Sequence, residues 1–350
     1  MSSSQPSCGR CTRAGSGRLS SHPDPLAVAA GIHSLSVPTP FAIGPVNVYL
    51  VEGSPLTLID TGPNSATVLV ELERLIAGVG YRVEDLEQLI VTHQHLDHLG
   101  LTGLIAERSG AEVAYLGAAA ATLEDFHGEA AANDDYQARL MQLHGIDPHV
   151  TEALRSVGGI LRAFGASAKV SLPLADGQAL RLGDRTMTVH HRPGHSPSDT
   201  VFHDADAGIL IAGDHLLSKV SSNAVVTRRL DGDETAPRPR PLIDYRSSLR
   251  ASQALGAELV LPGHGPAIRD QGALIERRLT EQERRAERIL ELLRDRPQSA
   301  HDIATELFGQ VAFTQAFLTI SEVLGHLDLL VEAGLAAEDA SAETTTFAVL

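Results

Sequence analysis

Four side chains of the kinds that bind metal ions occur within six residues, in the sequence HQHLDH that begins at His93. This segment directly follows the apolar run 88–92, which predicts a β-strand. Because alternate side chains of a strand point the same way, His93 and His95 can converge on one ion. The chain then turns and presents Asp97 and His98 to a second position. Imidazole and carboxylate groups together suit zinc, with iron or manganese as alternatives.

Three further segments each place one potential ligand in a glycine-bounded turn after a predicted strand. They are PGHS around His195, GDH around Asp214 and PGHG around His264. Glycine lets the backbone approach closely and adopt turn conformations that other residues resist. The set predicts a centre with enough ligands for two divalent ions, and its seven members are His93, His95, Asp97, His98, His195, Asp214 and His264.

Over about residues 26–270, this motif set resembles the metallo-β-lactamase fold superfamily. The resemblance implies a four-layered αββα sandwich of the α/β (α+β) class, with a binuclear site along one edge. It also implies a division of ligands in which His93, His95 and His195 hold the first metal, Asp97, His98 and His264 hold the second, and Asp214 bridges them. Asp60, in the sequence LIDTG, matches a structural aspartate of that family and is expected to support the site.

Two features indicate which branch of the family the sequence resembles: Asp214, and the absence of any cysteine after Cys11. Class B β-lactamases lack an acidic bridging residue and use a cysteine at the second metal. The set therefore resembles the glyoxalase II-like and lactonase-like branch. The implied reaction is attack by a metal-bridging hydroxide on a carbonyl or phosphoryl centre. Protonated Asp97, or His215, would assist the leaving group, although a packing role is the stronger expectation for His215.

Strands and helices alternate from residue 26, which predicts an α/β domain. We expect a flexible N-terminal tail over 1–25, a catalytic domain over 26–270 and a C-terminal domain over 271–350. An alanine-rich helical segment, about 118–165, looks inserted between two strand-rich halves. It is expected either to cover an active site or to form a layer of ordinary packing helices. The Cys8 and Cys11 pair has no second pair near it and is expected to be inert.

The C-terminal region predicts three helices and a short hairpin, which together describe a winged helix. Ser299 is expected to cap the second helix, and the third spans 317–332. This pattern resembles the winged-helix extension of β-lactamase-like proteins that include endoribonucleases. A phosphodiesterase or endoribonuclease is therefore the alternative function, and a DNA-binding regulator is a weaker third. The region 317–334 contains no Lys or Arg and three acidic residues, so phosphate contact from that helix is disfavoured.

The charge composition limits the classes of partner that the protein is expected to bind. The 350 residues carry 28 basic and 44 acidic side chains, a net charge of −16 that disfavours nucleic acid and anionic membranes. No apolar run is long enough to span a membrane, and no signal peptide is recognisable, so a cytoplasmic protein is expected. We expect the C-terminal unit to pack on the catalytic domain or to form a homodimer contact. The leading hypothesis is a di-zinc hydrolase of a small-molecule ester, thioester or lactone.

Overall fold

A computed structural model describes residues 24–350 of the protein. The predicted tail and its Cys8 and Cys11 pair lie outside the described residues, except that Asp24 and Pro25 begin a short helix. Within the described range, no helix combines the length and apolar character that crossing a membrane requires.

The described elements alternate as the sequence predicts. The strands are β1 Ile32–Val37, β2 Val46–Val51, β3 Thr57–Ile59, β4 Gln88–Ile90, β5 Glu112–Leu116, β6 Leu172–Leu174, β7 Ala179–Leu182, β8 Arg185–His191, β9 Thr200–Asp204, β10 Ile209–Gly213, β11 Leu259–Pro262, β12 Ala336–Asp339 and β13 Thr346–Val349. The α-helices are α1 Pro25–Ala29, α2 Ala66–Val79, α3 Leu96–Leu99, α4 Thr102–Ser109, α5 Ala120–Glu124, α6 Phe126–Leu143, α7 Pro148–Leu161, α8 Pro241–Gln253, α9 Gln271–Leu293, α10 Ala300–Phe308, α11 Val311–Thr314 and α12 Ala316–Glu332.

Two mixed sheets face each other. One has the order β1-β2-β3-β4-β5-β6, and the other has the order β11-β10-β9-β8-β7. In the first sheet, the parallel register pairs Ile59 with Ile90 and Leu58 with Leu89. Ile59 and Ile90 belong to the core shared with the second sheet, whereas Leu58 and Leu89 pack with the helices outside. Strands that are buried on both faces need continuous apolar runs, and this explains their sequences.

Helices cover the outer face of each sheet, so the fold is the predicted four-layered αββα sandwich. On the first sheet, α2 buries Val68, Leu72 and Ile76 at intervals of four residues, and Ser65 caps its N-terminus. On the second sheet, α8 and the first half of α9 form the cover. Helix α8 was not predicted from the sequence, although Pro241 at its start is a favoured first residue of a helix.

The predicted helical insertion consists of α5, α6 and α7. It forms the crossover between β5 and β6, which are parallel neighbours in the first sheet. Helix α6 also contributes Leu140 and Met141 to the core of the C-terminal unit. The insertion thus packs against the helices of the C-terminal unit.

The C-terminal unit contains the expected long helix, the helix capped by Ser299, the third helix and the hairpin β12–β13. Helix α9 joins it to the sandwich, because Leu279 packs with the second sheet's outer layer and Ile289 packs with α10 and α12. Eleven of the 17 residues of α12 are buried. The domain limit at 270/271 and the winged-helix identification stay predictions.

The cap of α10 gives a stability prediction. Ser299 Oγ accepts from the Asp302 backbone N–H at 3.1 Å, and Asp302 accepts from the Ser299 N–H at 3.0 Å. Ser299→Ala removes the cap acceptor and should lower the free energy of unfolding by about 1 kcal/mol in urea denaturation. Ser341→Ala, in an exposed turn, is the matched control and should leave it unchanged. Equal stability of the two variants would contradict the capping role.

Candidate metal centre

The seven predicted ligands meet at one edge of the sandwich. His93 and His95 follow β4, and Asp97 and His98 lie on the short helix α3 that comes next. The other three follow strands of the second sheet: His195 follows β8, Asp214 follows β10 and His264 follows β11. Strands β8, β10 and β11 run in the same direction, so their carboxyl ends share one edge.

One group of three histidines surrounds a common point. His93 Nε2 lies 3.0 Å from His95 Nδ1, and His195 Nε2 lies 2.9 Å from the same His95 atom. Three ring nitrogens this close to one another form a donor set for a single ion. This is the trio that the resemblance assigns to the first metal.

A second group lies beside the first. His264 Nε2 is 3.2 Å from Asp97 Oδ2, and His98 Nε2 is 3.5 Å from Asp214 Oδ1. The other Asp214 oxygen, Oδ2, lies 3.6 Å from His264 Nε2 and 3.8 Å from His195 Nε2. Asp214 therefore contacts members of both groups, which is the position that a bridging carboxylate needs.

Most of these histidines are oriented by a hydrogen bond from the nitrogen that faces away from the cluster. Nδ1 of His195 lies 2.9 Å from the Asn223 carbonyl oxygen, and Nδ1 of His264 lies 2.8 Å from the Pro45 carbonyl oxygen. Because carbonyl oxygens only accept, Nδ1 carries the proton in both rings. Each Nε2 lone pair then points into the cluster, as outer hydrogen bonds arrange it in metal sites.

The electrostatics of the cluster favour a cation. Burial lowers the pKa of His95 to about 3, which leaves this ring neutral and able to donate a lone pair. Burial opposes protonation of His98 as well, but the Asp214 and Asp60 carboxylates raise its pKa well above the ordinary value. Two carboxylates at this depth thus require a positive charge nearby.

Three buried polar atoms of the cluster that lack hydrogen-bond partners show whether a metal ion would fit there. His98 Nε2, His264 Nε2 and Asp214 Oδ1 are buried and have no hydrogen-bond partner. Leaving such groups unpaired is costly, and a native protein seldom does so without a reason. A divalent cation accepts lone pairs from all three. The donor set of imidazole and carboxylate groups therefore fits a divalent metal.

Asp60 joins the two segments that carry the first four residues of the cluster. Its Oδ1 accepts from the Thr92 backbone N–H at 2.8 Å, and its Oδ2 accepts from Thr92 Oγ1 at 2.9 Å and lies 2.7 Å from His98 Nδ1. Its backbone has a φ of 60°, in the left-handed region that aspartate and asparagine tolerate better than most residues. The structure thus places Asp60 behind the cluster, as the sequence led us to expect.

At Gly263 the cluster depends on the absence of a side chain. A Cβ atom there would lie 2.2 Å from Asp214 Oδ1 and 2.8 Å from His98 Cε1. The close approach of the β11 turn to the cluster is possible only without that atom.

The structure does not bring His215 to the cluster's open side. This side chain is buried, its Nε2 lies 2.9 Å from Ser252 Oγ on α8, and its ring packs edge-on against Tyr245. No contact of His215 leads to the pocket described below. The leaving-group role suggested for His215 is therefore not supported, and its contacts are those of a packing residue.

The sequence marks Asn223 only as a solvated residue or a substrate contact on the loop after Asp214, and the structure gives it a different role. Its carbonyl oxygen accepts from His195 Nδ1, and its side-chain Nδ2 donates to the Leu318 carbonyl oxygen of α12 at 3.0 Å. Asn223 thus connects the predicted ligand His195 to the C-terminal unit. Asn223 and Leu318 are 95 residues apart in the sequence. Its position on the loop that follows Asp214 was the only available signal.

A pocket of about 660 Å³ opens beside the cluster. His95, Asp97, His195 and Asp214 form part of its wall. Most of the remaining wall comes from the helical insertion, the loop after Asp214 and the start of α12, and Ile43 adds to it from the loop between β1 and β2. A volume of this size accommodates a small molecule.

Comparisons with known proteins agree with this geometry. A family model described as the metallo-beta-lactamase superfamily matches residues 42–264. The chain is 34% identical over 300 residues to the probable metallo-hydrolase YqjP of Bacillus subtilis (strain 168). That alignment covers 85% of this chain and 91% of YqjP. It is 31% identical over 122 residues to the atrochrysone carboxyl ACP thioesterase of Aspergillus fumigatus, which covers 35% of this chain and 25% of that protein.

A solved structure shows the same fold over nearly the whole described chain. A metallo-beta-lactamase family protein of Thermus thermophilus aligns with a TM-score of 0.77 at 29% identity. The alignment covers 91% of this chain and 99% of that protein. The similarity therefore includes the C-terminal unit as well as the sandwich.

The Asp60 contacts predict that replacing this carboxylate by a neutral amide of the same shape lowers metal affinity. Asp60→Asn keeps the backbone conformation accessible but places an amide where His98 Nδ1 needs an acceptor. We expect metal affinity, measured by chelator competition, to fall by about 10- to 100-fold, as for other outer partners of metal ligands. Asp204→Asn alters a buried carboxylate paired with Arg185 and should not change metal affinity. Wild-type affinity in folded Asp60→Asn would contradict the supporting role.

The Gly263 contacts predict a steric effect. Gly263→Ala places a methyl group against Asp214 and His98, so the purified protein should contain less metal per chain by elemental analysis. Gly272→Ala, on α9 with open space around its Cβ position, is the control. Unchanged metal content in Gly263→Ala would show that the cluster can move aside without loss of binding.

Proposed function

The chain belongs to the metallo-beta-lactamase superfamily, and we propose that it is a binuclear metal-dependent hydrolase of small-molecule esters, thioesters or lactones. One observation carries the proposal: four of the seven cluster residues, His95, Asp97, His195 and Asp214, line an otherwise largely apolar pocket of small-molecule size. A buried donor set at the side of such a pocket can act on a substrate bound there.

In the proposed site, each group of ligands would hold one ion. His93, His95 and His195 would hold the first, and Asp97, His98 and His264 would hold the second. Asp214 lies beside members of both groups and would contribute to both. The close donor atoms within each group support this division. We propose zinc because the donors are imidazole and carboxylate groups, and iron or manganese would bind the same set. When bound, such ions supply Lewis acidity, which lowers the pKa of water and polarises an acceptor oxygen.

The reaction adds one water across the acyl bond. The water oxygen joins the carbonyl carbon, the carbon–sulfur or carbon–oxygen bond breaks, and a proton passes to the leaving thiol or alcohol. Asp97 lines the pocket, and its Oδ2 lies 3.2 Å from His264 Nε2. We propose that Asp97 moves this proton, because it is a carboxylate of the cluster at the pocket wall.

The relatives and the charges both favour a carbonyl substrate. One relative is named as a thioesterase, which gives a thioester the first place in a substrate panel. Beyond any bound ions, a nucleic-acid phosphodiester would gain affinity from unpaired cationic side chains. The arginines that line the pocket are already in ion pairs: Arg228 with Glu129, Arg229 with Asp231, and Arg162 with Asp134. No observation therefore favours the phosphodiesterase alternative.

The test combines metal content with turnover. We expect near two ions of zinc, iron or manganese per wild-type chain by elemental analysis. We also expect turnover of a thioester or lactone above that of bis-p-nitrophenyl phosphate. His95→Ala should lower both metal content and turnover, the latter by more than about 100-fold, because changes to outer partners alone cost about 10- to 100-fold. His149→Ala, at an exposed position on α7, is the matched control.

Three outcomes would contradict parts of the proposal. Well under one ion per folded chain that cannot be reloaded would overturn the metal site. One ion per chain would overturn the binuclear assignment. Preferred turnover of the phosphodiester, with two ions bound, would overturn the carbonyl substrate.

A further inference from the structure

The pocket beside the cluster has an apolar wall made by distant segments of the chain. Phe126 comes from α6, Leu217 and Val225 come from the loop after Asp214, and Phe317 and Leu318 come from the first turn of α12. Four polar cluster residues, His95, Asp97, His195 and Asp214, line the same pocket. A ligand whose polar end lies at the cluster can therefore place an apolar part against these side chains.

Four large apolar side chains at the pocket are exposed to solvent. Ile43, Leu161, Val220 and Leu318 each expose between 36% and 45% of their surface. Single exposed apolar residues are normal on a protein, but a cluster around one opening marks a binding site. These four come from separate parts of the sequence, so no local pattern accounts for their meeting.

The charges around the pocket disfavour an anionic ligand in its apolar part. Each arginine that lines it is paired with an acidic side chain, and no lysine lines it among the residues that the structure describes. The protein as a whole has a net charge of −16. An uncharged hydrocarbon chain meets no electrostatic cost there, whereas a carboxylate or phosphate would find no free cation.

The position of the α12 wall is fixed by hydrogen bonds to the loop after Asp214. Asn223 Nδ2 donates to the Leu318 carbonyl oxygen at 3.0 Å, and the Val226 N–H donates to Ser321 Oγ at 3.2 Å. Arg238 of the same segment forms a bidentate pair with the buried Asp328 of α12. The first turn of α12 is thus held in place beside the pocket by specific contacts.

From these observations we propose that the pocket binds the apolar acyl chain of the substrate, with the first turn of α12 as the wall that favours longer chains. This inference rests on the proposed function, because it places the acyl carbonyl at the cluster. A buried methylene contributes about 0.8 kcal/mol, so each added carbon should raise affinity by about two- to fourfold in a partly open pocket.

The first measurement is binding, which needs no turnover. Isothermal calorimetry compares S-butyl and S-octyl N-acetylcysteamine, two thioethers that cannot be hydrolysed, on the full chain. We expect the octyl compound to bind at least about tenfold more tightly than the butyl compound. Equal affinities in the wild-type protein would overturn the proposal.

A matched pair of variants assigns the preference to α12. Leu318→Asp places a charge at the pocket, and Leu335→Asp places the same charge on the same C-terminal unit outside it. The two leucines are exposed to 40% and 45%, so both substitutions are compatible with folding. The octyl preference should fall below about threefold in Leu318→Asp and persist in Leu335→Asp. Persistence in both variants would overturn the role of α12.

The second measurement separates this inference from the proposed function. Turnover of N-acetylcysteamine thioesters from acetyl to decanoyl should rise with chain length in the wild-type protein and flatten in Leu318→Asp. Octyl preference in binding without turnover of any thioester would overturn the thioester assignment in the proposed function and retain the pocket. Turnover that is independent of chain length would overturn the acyl-chain pocket and retain the hydrolase.

Discussion

The buried Asp60 carboxylate is the contact on which the metal-type cluster depends. It lies just after β3, and the parallel pairing of β3 with β4 places it against Thr92. From there it accepts from the Thr92 hydroxyl and contacts the outer nitrogen of His98. Four cluster residues, His93, His95, Asp97 and His98, follow β4 of the first sheet. The second sheet delivers three more, and Asn47 joins the sheets at this edge by donating to Pro262.

The parts of the site that could be predicted from the sequence are those written in short segments. The cluster residues lie in compact motifs after apolar strands, and burial of those strands on both faces makes them recognisable. Helix α8 was missed because its sequence is largely polar and follows a proline-rich stretch. The role of Asn223 and the place of α12 were missed for another reason. They arise from contacts between positions 95 residues apart, which no local pattern records.

The C-terminal unit is joined to the sandwich through its core as well as through the chain. One half of α9 packs with the second sheet and the other half packs with α10 and α12. The pair of Arg238 with Asp328 adds a buried charged contact between the loop after Asp214 and α12. Loss of one partner of such a pair costs about 3–5 kcal/mol because the other charge is left buried, so the folded arrangement needs both residues.

The two sides of the pocket are therefore determined by different parts of the chain. The cluster wall depends on strand ends whose apolar runs also build the core, so changes there disturb both folding and metal binding. The rest of the wall depends largely on the insertion, the loop after Asp214 and the first turn of α12, whose exposed apolar side chains contribute little to the core. Under the proposed function, we expect substitution of Leu318 to alter what the pocket accepts and to leave the contacts of Asp60, His98 and Asp214 unchanged. The proposed reaction and the proposed choice of substrate would then be separable, because one would belong to the sheet edge and the other to the surrounding helices.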